Sequence, residues 1–159
     1  MKRLLKKTPI RIRRAVFAVY VIVMLYLMLI RGRTPKITDY WAQFRENLNL
    51  IPFDSILYFI RRLFSHDTTK VIQAIKNLVG NVVMFFPLGF CLPWCFPKCG
   101  TLRETLCVSA ACITTVEIIQ VVTLRGFCDI DDLMLNLIGV WIGYGIYGRA
   151  VNNNYEVRK

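Results

Sequence analysis

TTVEIIQVVTLRGFCDIDDLMLNLIGVWIG, residues 114–143, joins two strongly apolar segments through a short polar turn. The first segment carries Glu117 and Gln120. The second opens on Asp129, Asp131 and Asp132 and then carries Asn136, and Arg125 lies between the two. A carboxylate and a carboxamide inside an apolar helix are costly unless they are paired or used. The stretch therefore predicts a polar cluster near one face of a membrane helix bundle.

Composition agrees with a membrane reading. Of the 159 residues, 55% are hydrophobic and 19% charged, and the mean hydropathy is +0.45. Charge is scarce for a soluble domain, and the apolar residues fall in long runs, as insertion requires. The length suits one small bundle, a single membrane domain over residues 1–159. A net charge of +11 raises nucleic acid as a partner for a soluble chain. Here seven of the twenty-one basic residues lie in the first fourteen positions, directly before an apolar run. Orientation in an anionic bilayer explains that block more simply than nucleic acid does.

Outward from the opening stretch, residues 106–124 and 133–147 form the third and fourth predicted spans. Residues 78–96 form the second, with Asn81 one turn inside it and Pro87 and Gly89 near its middle. A mid-span proline frees a carbonyl and kinks a helix. Residues 15–30, AVFAVYVIVMLYLMLI, form the first span. Sixteen residues rise about 24 Å as helix, slightly short of a bilayer core, and Ile12 extends it. A small-residue cleavage pattern is missing, so the segment reads as a retained anchor rather than a signal peptide. Residues 1–14 form a basic cytoplasmic leader and residues 149–159 a polar cytoplasmic tail.

Between the first two spans, residues 48–64 read LNLIPFDSILYFIRRLF. Phe53, Ile56, Leu57, Ile60, Leu63 and Phe64 recur at helical spacing and Arg61 and Arg62 fall together, which predicts an interfacial or re-entrant amphipathic helix. It serves either as a cover for the bundle or as a lid or ramp for a lipid-like ligand. Asp54 and Ser55 sit as first-turn residues after Pro52. Residues 66–69 then read as a polar break.

With four spans and the amino terminus inside, alternation alone brings Asn81, Glu117, Gln120, Arg125, Asp129, Asp131, Asp132 and Asn136 to one outer level. Glu117 reads first as an acid–base or ligand-binding residue and, as the alternative, as a structural pair with Arg125 across the end of the third span. The three aspartates repel unless they diverge, share a proton, bind a cation or meet Arg125, and one of them could simply cap the following helix. Arg125 is also a candidate contact for phosphate or carboxylate. Asp132, Asn136, Gly139 and Gly143 advance by four, three and four residues along one helical stripe, and the two glycines permit close helix approach.

Catalytic signatures are sparse. There is no Walker loop, dinucleotide loop or HExxH pattern, and no nucleophile with a visible histidine partner. Cys91, Cys95 and Cys99 have x3 spacing, and with one histidine in the chain they read as packing residues rather than metal ligands. No cofactor is expected, and the metal question at the aspartates stays open.

In order and spacing, several pieces together resemble the VanZ-like family of small bacterial membrane proteins. They are Asn49-Leu50-Ile51-Pro52-Phe53, Asn81 followed by Phe86-Pro87-Leu88-Gly89, Glu117-Ile118-Ile119-Gln120, Arg125, Asp129-Ile130-Asp131-Asp132, and Asn136, Gly139 and Gly143. These pieces span roughly residues 48–145. The resemblance implies a multi-pass protein of the bacterial plasma membrane, and the family's namesake is associated with resistance to the glycopeptide teicoplanin. It supports the polar residues as a family pattern and gives them no catalytic role.

The combined expectation is an all-α membrane protein: a four-transmembrane-helix bundle with an additional interfacial or re-entrant amphipathic helix and both termini cytoplasmic. Its partners are the lipid bilayer and a lipid-linked cell-wall precursor or a glycopeptide, bound or shielded in an outward-facing polar pocket. Two alternatives stand beside it. One is a membrane-embedded enzyme acting through Glu117 and Asp129, Asp131 and Asp132 on a lipid-linked or phosphate-bearing substrate. The other is a structural subunit of a larger membrane complex.

Overall fold

The structure is a computed structural model that describes residues 7–30 and 39–151. Residues 1–6 of the basic leader, the basic residues flanking the first span at 31–36, and residues 152–159 of the tail lie outside the described residues. Four long helices dominate. Helix α1 (Ile10–Leu25) runs into a π-turn (Tyr26–Ile30), followed later by α4 (Thr68–Cys95), α5 (Leu102–Val122) and α6 (Ile130–Val151). Two short helices, α2 (Tyr40–Glu46) and α3 (Asp54–Leu63), fill the first long connection. Two-residue strands β1 (Leu48–Asn49) and β2 (Cys128–Asp129) pair in parallel, with Leu48 opposite Cys128 and Asn49 opposite Asp129.

Local chemistry sets the boundaries. Asp39 caps α2 by accepting from the Trp41 and Ala42 amides, and Asp67 caps α4 by accepting from the Thr69 amide. Thr101 and Glu104 close a reciprocal capping box on α5. The polar break expected at residues 66–69 is thus the start of a 28-residue helix, about 42 Å long. Asn81 consequently lies near the middle of α4 rather than one turn inside it. The helix also continues through Pro87 and Pro93. Likewise the turn before α5 is shorter than expected, because the capping box carries Arg103 and Glu104 into the helix.

The packing is inverted relative to a soluble domain. Three helical stretches are long and apolar enough to cross a membrane: Ile10–Leu29, Thr68–Cys95 and Leu102–Val122. Only 11%, 39% and 28% of their most apolar windows is buried inside the protein, so most of each faces outward. Val19, Val83, Ile118 and Trp141 are among the exposed apolar residues, an arrangement suited to lipid contact. The fourth long helix, α6, has the length, but its first turn carries Asp131 and Asp132. The fold is therefore an all-α membrane bundle with three such helices among the described residues.

Phe85, Leu88 and Leu92 of α4 form the core with Met24, Ile113 and Val140 from α1, α5 and α6. The most extensive interface joins α4 and α6, and glycines make it close. A Cβ on Gly139 would lie 2.2 Å from the Val82 carbonyl oxygen, and one on Gly143 would lie 2.0 Å from that of Phe86. From the other side, a Cβ on Gly89 would lie 1.9 Å from the Val140 carbonyl oxygen. The stripe read from the sequence is thus the face of α6 that meets α4. Tyr20 of α1 completes the packing by donating to the Met84 carbonyl at 3.0 Å.

Candidate functional site

The three aspartates at the start of α6 diverge to three different partners. Asp129 Oδ1 accepts from the Asp131 amide at 2.9 Å, which caps α6. Its Oδ2 takes a hydrogen bond from the Ser55 hydroxyl and a longer one, 3.4 Å, from Asn49 Nδ2. Asp131 is fully buried and points the other way. Its Oδ1 accepts from the Phe53 amide at 2.6 Å and its Oδ2 from the Ile56 amide at 3.0 Å. It therefore caps α3 from 75 or more residues away in sequence. Asp132 Oδ1 accepts from Asn81 Nδ2 at 2.6 Å, and Asn77 also bonds this carboxylate.

Backbone geometry supports the distant cap. Phe53 adopts φ 68°, a left-handed conformation, uncommon for a bulky residue. Its amide is the one that meets Asp131. Asp54 lies in the first turn of α3, as read from the sequence, but the N-cap residue itself makes no side-chain cap bond. The parallel β1–β2 pairing, with the Cys128 amide donating to the Asn47 carbonyl at 2.9 Å, holds the two segments together.

Arg125 and Gln120 serve the end of α1. Gln120 Nε2 donates to the Met28 carbonyl at 2.9 Å, and Arg125 Nη1 to the Leu29 carbonyl at 3.2 Å. Carbonyls at a helix end lack intrahelical partners, and a π-turn displaces them further. Of the two readings of Glu117, the pair with Arg125 does not form: Arg125 is exposed and bonds a carbonyl, whereas Glu117 is buried.

Glu117 and Asn136 remain. Both are almost fully buried, and Glu117 Oε1 and Asn136 Oδ1 have no hydrogen-bond partner. Asp132 and Asp129 are close enough to act electrostatically on Glu117. A buried acceptor left unpaired is uncommon in a native structure and costs about 1–3 kcal/mol. Among the described residues, no three histidine, cysteine, aspartate or glutamate side chains come together to hold a metal ion.

Cys128 reports on the same cluster. Burial, followed by the charges of Glu117 and Asp129, pushes its thiol above the ordinary value. In a chain whose other five cysteines are replaced, Cys128 is expected to alkylate more slowly at pH 8 than an exposed thiol. Glu117→Gln is expected to quicken the reaction, because one charge opposing the thiolate is gone. The rate of maleimide addition checks both.

A family profile described as VanZ/LLP1 matches residues 17–151, most of the chain. The protein belongs to the VanZ/LLP1 family. Protein VanZ of Enterococcus faecium is 27% identical to it over 135 residues, which is 85% of this chain and 73% of the relative. No solved structure matches. In this VanZ/LLP1 chain, Asn81, Asp129, Asp131 and Asp132 meet partners that tie α3, α4 and α6 together, while Gln120 and Arg125 secure α1. Glu117 and Asn136 are the members without a full set of partners.

Asn47 and Asn77, both in polar positions of the structure, are not marked by the sequence patterns above. Asn77 is the most informative omission, since it precedes Asn81 by one helical turn. That signal was hidden because the span was taken to begin at Leu78. Ser109, which the sequence offers with Ala110 and Thr114 for close helix contact or hydrogen bonding across helices, is fully buried, and its hydroxyl has no hydrogen-bond partner.

Proposed function

We propose that the chain is a multi-pass protein of the bacterial plasma membrane whose polar cluster lies on the outer side and binds or shields a cell-envelope component. In this reading α6 is the fourth transmembrane helix. Its 22 residues rise about 33 Å, enough for a bilayer core, and Asp131 and Asp132 sit at the end where water reaches. Both termini are cytoplasmic, as the basic leader favours. Helix α3 lies in the outer interface, with Leu57, Tyr58 and Ile60 exposed and Arg61 and Arg62 in its last turn.

One observation carries the binding reading: Glu117 Oε1 and Asn136 Oδ1 are buried acceptors without donors. A ligand bearing amide or ammonium N–H groups supplies what they lack. A lipid-linked cell-wall precursor and the glycopeptide teicoplanin both carry such groups, and resistance to the latter follows if this chain shields its target. The aspartates already serve backbone and side-chain donors, which leaves Glu117 without a free second carboxylate and favours binding over hydrolysis.

The test is binding of lipid II and of teicoplanin to the purified protein in nanodiscs. Binding of at least one is expected, weakened about tenfold by Asn136→Leu. Failure of a correctly folded sample to bind either removes the reading. Turnover of an envelope lipid that is lost in Glu117→Gln replaces it with the enzyme.

A further inference from the structure

The end of the bundle opposite the aspartates carries a cleft of about 440 Å³. All four long helices contribute to it. Ile10 and Arg13 come from α1 and Trp94 from α4, Thr101 and Glu104 from the start of α5, and Tyr147 from α6. This cleft shares no residue with the polar cluster described above.

Arg13 is held in a fixed orientation. Its Nε donates to the Thr8 carbonyl at 2.8 Å and its Nη1 to the Trp94 carbonyl at 3.3 Å. Its guanidinium carbon lies 5.3 Å from the centre of the Trp94 ring. A guanidinium ordered in advance loses little further freedom when it meets an anion. The surrounding sequence is basic, with Lys7, Arg11, Arg14, Lys98 and Arg103 near the same end. Glu104 is the acidic residue in the wall, and its Oε2 accepts from the Thr101 amide at 3.0 Å to close the α5 cap. That cap also points the positive end of the α5 dipole at the cleft.

Trp94 and Tyr147 are of the types that settle at headgroup depth, with an apolar body and a polar tip. Val16, Val19 and Ile22 continue along the outside of α1 as an exposed apolar strip. Basic pockets between membrane helices on the positively charged side are suited to phosphate-bearing lipid headgroups. We propose that this cleft seats the phosphate of an anionic phospholipid, with Arg13 on the phosphate, Trp94 and Tyr147 beside the glycerol backbone, and the acyl chains along the outer face of α1. The lipid braces the ends of all four helices. The site is independent of any ligand at the polar cluster.

Native mass spectrometry of the full chain in detergent tests this, with phosphatidylglycerol as the probe, phosphatidylcholine as the neutral comparison and inorganic phosphate as a competitor. Phosphatidylglycerol is expected to be retained preferentially. Arg13→Gln is expected to weaken it about tenfold, and Arg103→Gln, outside the cleft wall, less than about twofold. If Arg13→Gln does not fold, Arg13→Lys, which keeps the charge and loses the fork, is expected to give a smaller loss of the same sign. Three results overturn the proposal: equal retention of the two lipids, equal losses in the Arg13 and Arg103 variants, or full displacement of the lipid by millimolar phosphate. The second assigns retention to a diffuse basic surface, and the third assigns the site to a soluble anion.

Discussion

Gly143→Ala is expected to destabilise the bundle by about 3 kcal/mol or more, at the upper end of overpacking effects. The added methyl would lie 2.0 Å from the Phe86 carbonyl oxygen and 3.0 Å from the Phe90 amide nitrogen. Both are backbone atoms of α4, so no side chain can swing aside, and the two helices must separate. Separation loosens the contact at Gly139 and Val82 one turn away and pulls Asp132 from Asn81 beyond it. Gly145→Ala is the matched control, because a Cβ there meets nothing within 4 Å. That change is expected to be neutral or slightly stabilising, since alanine is the better helix former by about 0.5–1 kcal/mol. The comparison is the temperature at which detergent-solubilised protein loses its monodisperse peak. A large drop is expected for Gly143→Ala and none for Gly145→Ala.

Asp131→Ala is expected to release α3. The substitution removes both acceptors that hold the Phe53 and Ile56 amides. Hydrogen bonds to a charged group contribute about 1.5–3 kcal/mol each, so the local loss for the two is about 3–6 kcal/mol. Helix α3 has no buried residue of its own, so once the cap is gone it is left with half-buried packing on α4 and the Ser55 bond to Asp129. Helix α6 keeps its start, because Asp129 accepts from the backbone amide of residue 131 whatever side chain stands there. Hydrogen exchange is therefore expected to quicken across residues 53–60 while α6 stays protected. Asp131→Asn, which retains one acceptor oxygen, is expected to fall between wild type and alanine.

These two results rest on features of very different legibility. The spacing of Asp132, Asn136, Gly139 and Gly143 is a local helical pattern, so sequence alone exposes the stripe and the close approach it makes. The stretch from Thr114 to Gly143 likewise predicts that carboxylates and amides gather at one end. What each polar residue touches is not local. Asp131 meets amides from a connection 75 or more residues earlier, and a two-residue strand pair brings that connection into reach. No periodicity marks a two-residue strand. The Glu117–Arg125 pair was inferred from proximity in sequence and opposite charge. Arg125 instead donates to the Leu29 carbonyl beyond α1. The start of α4 was misplaced because apolar density begins at Leu78, whereas the helix begins where Asp67 supplies a cap.

The central claim is that α5 and α6 meet at the outer face, carrying the polar cluster there. Cysteine scanning tests it most directly. In a chain lacking the six natural cysteines, Arg125→Cys is expected to react in intact cells with a maleimide that cannot cross the membrane. Lys98→Cys, between α4 and α5, is expected to react only after the membrane is opened. The reverse pattern, with position 125 shielded until permeabilisation, contradicts the account.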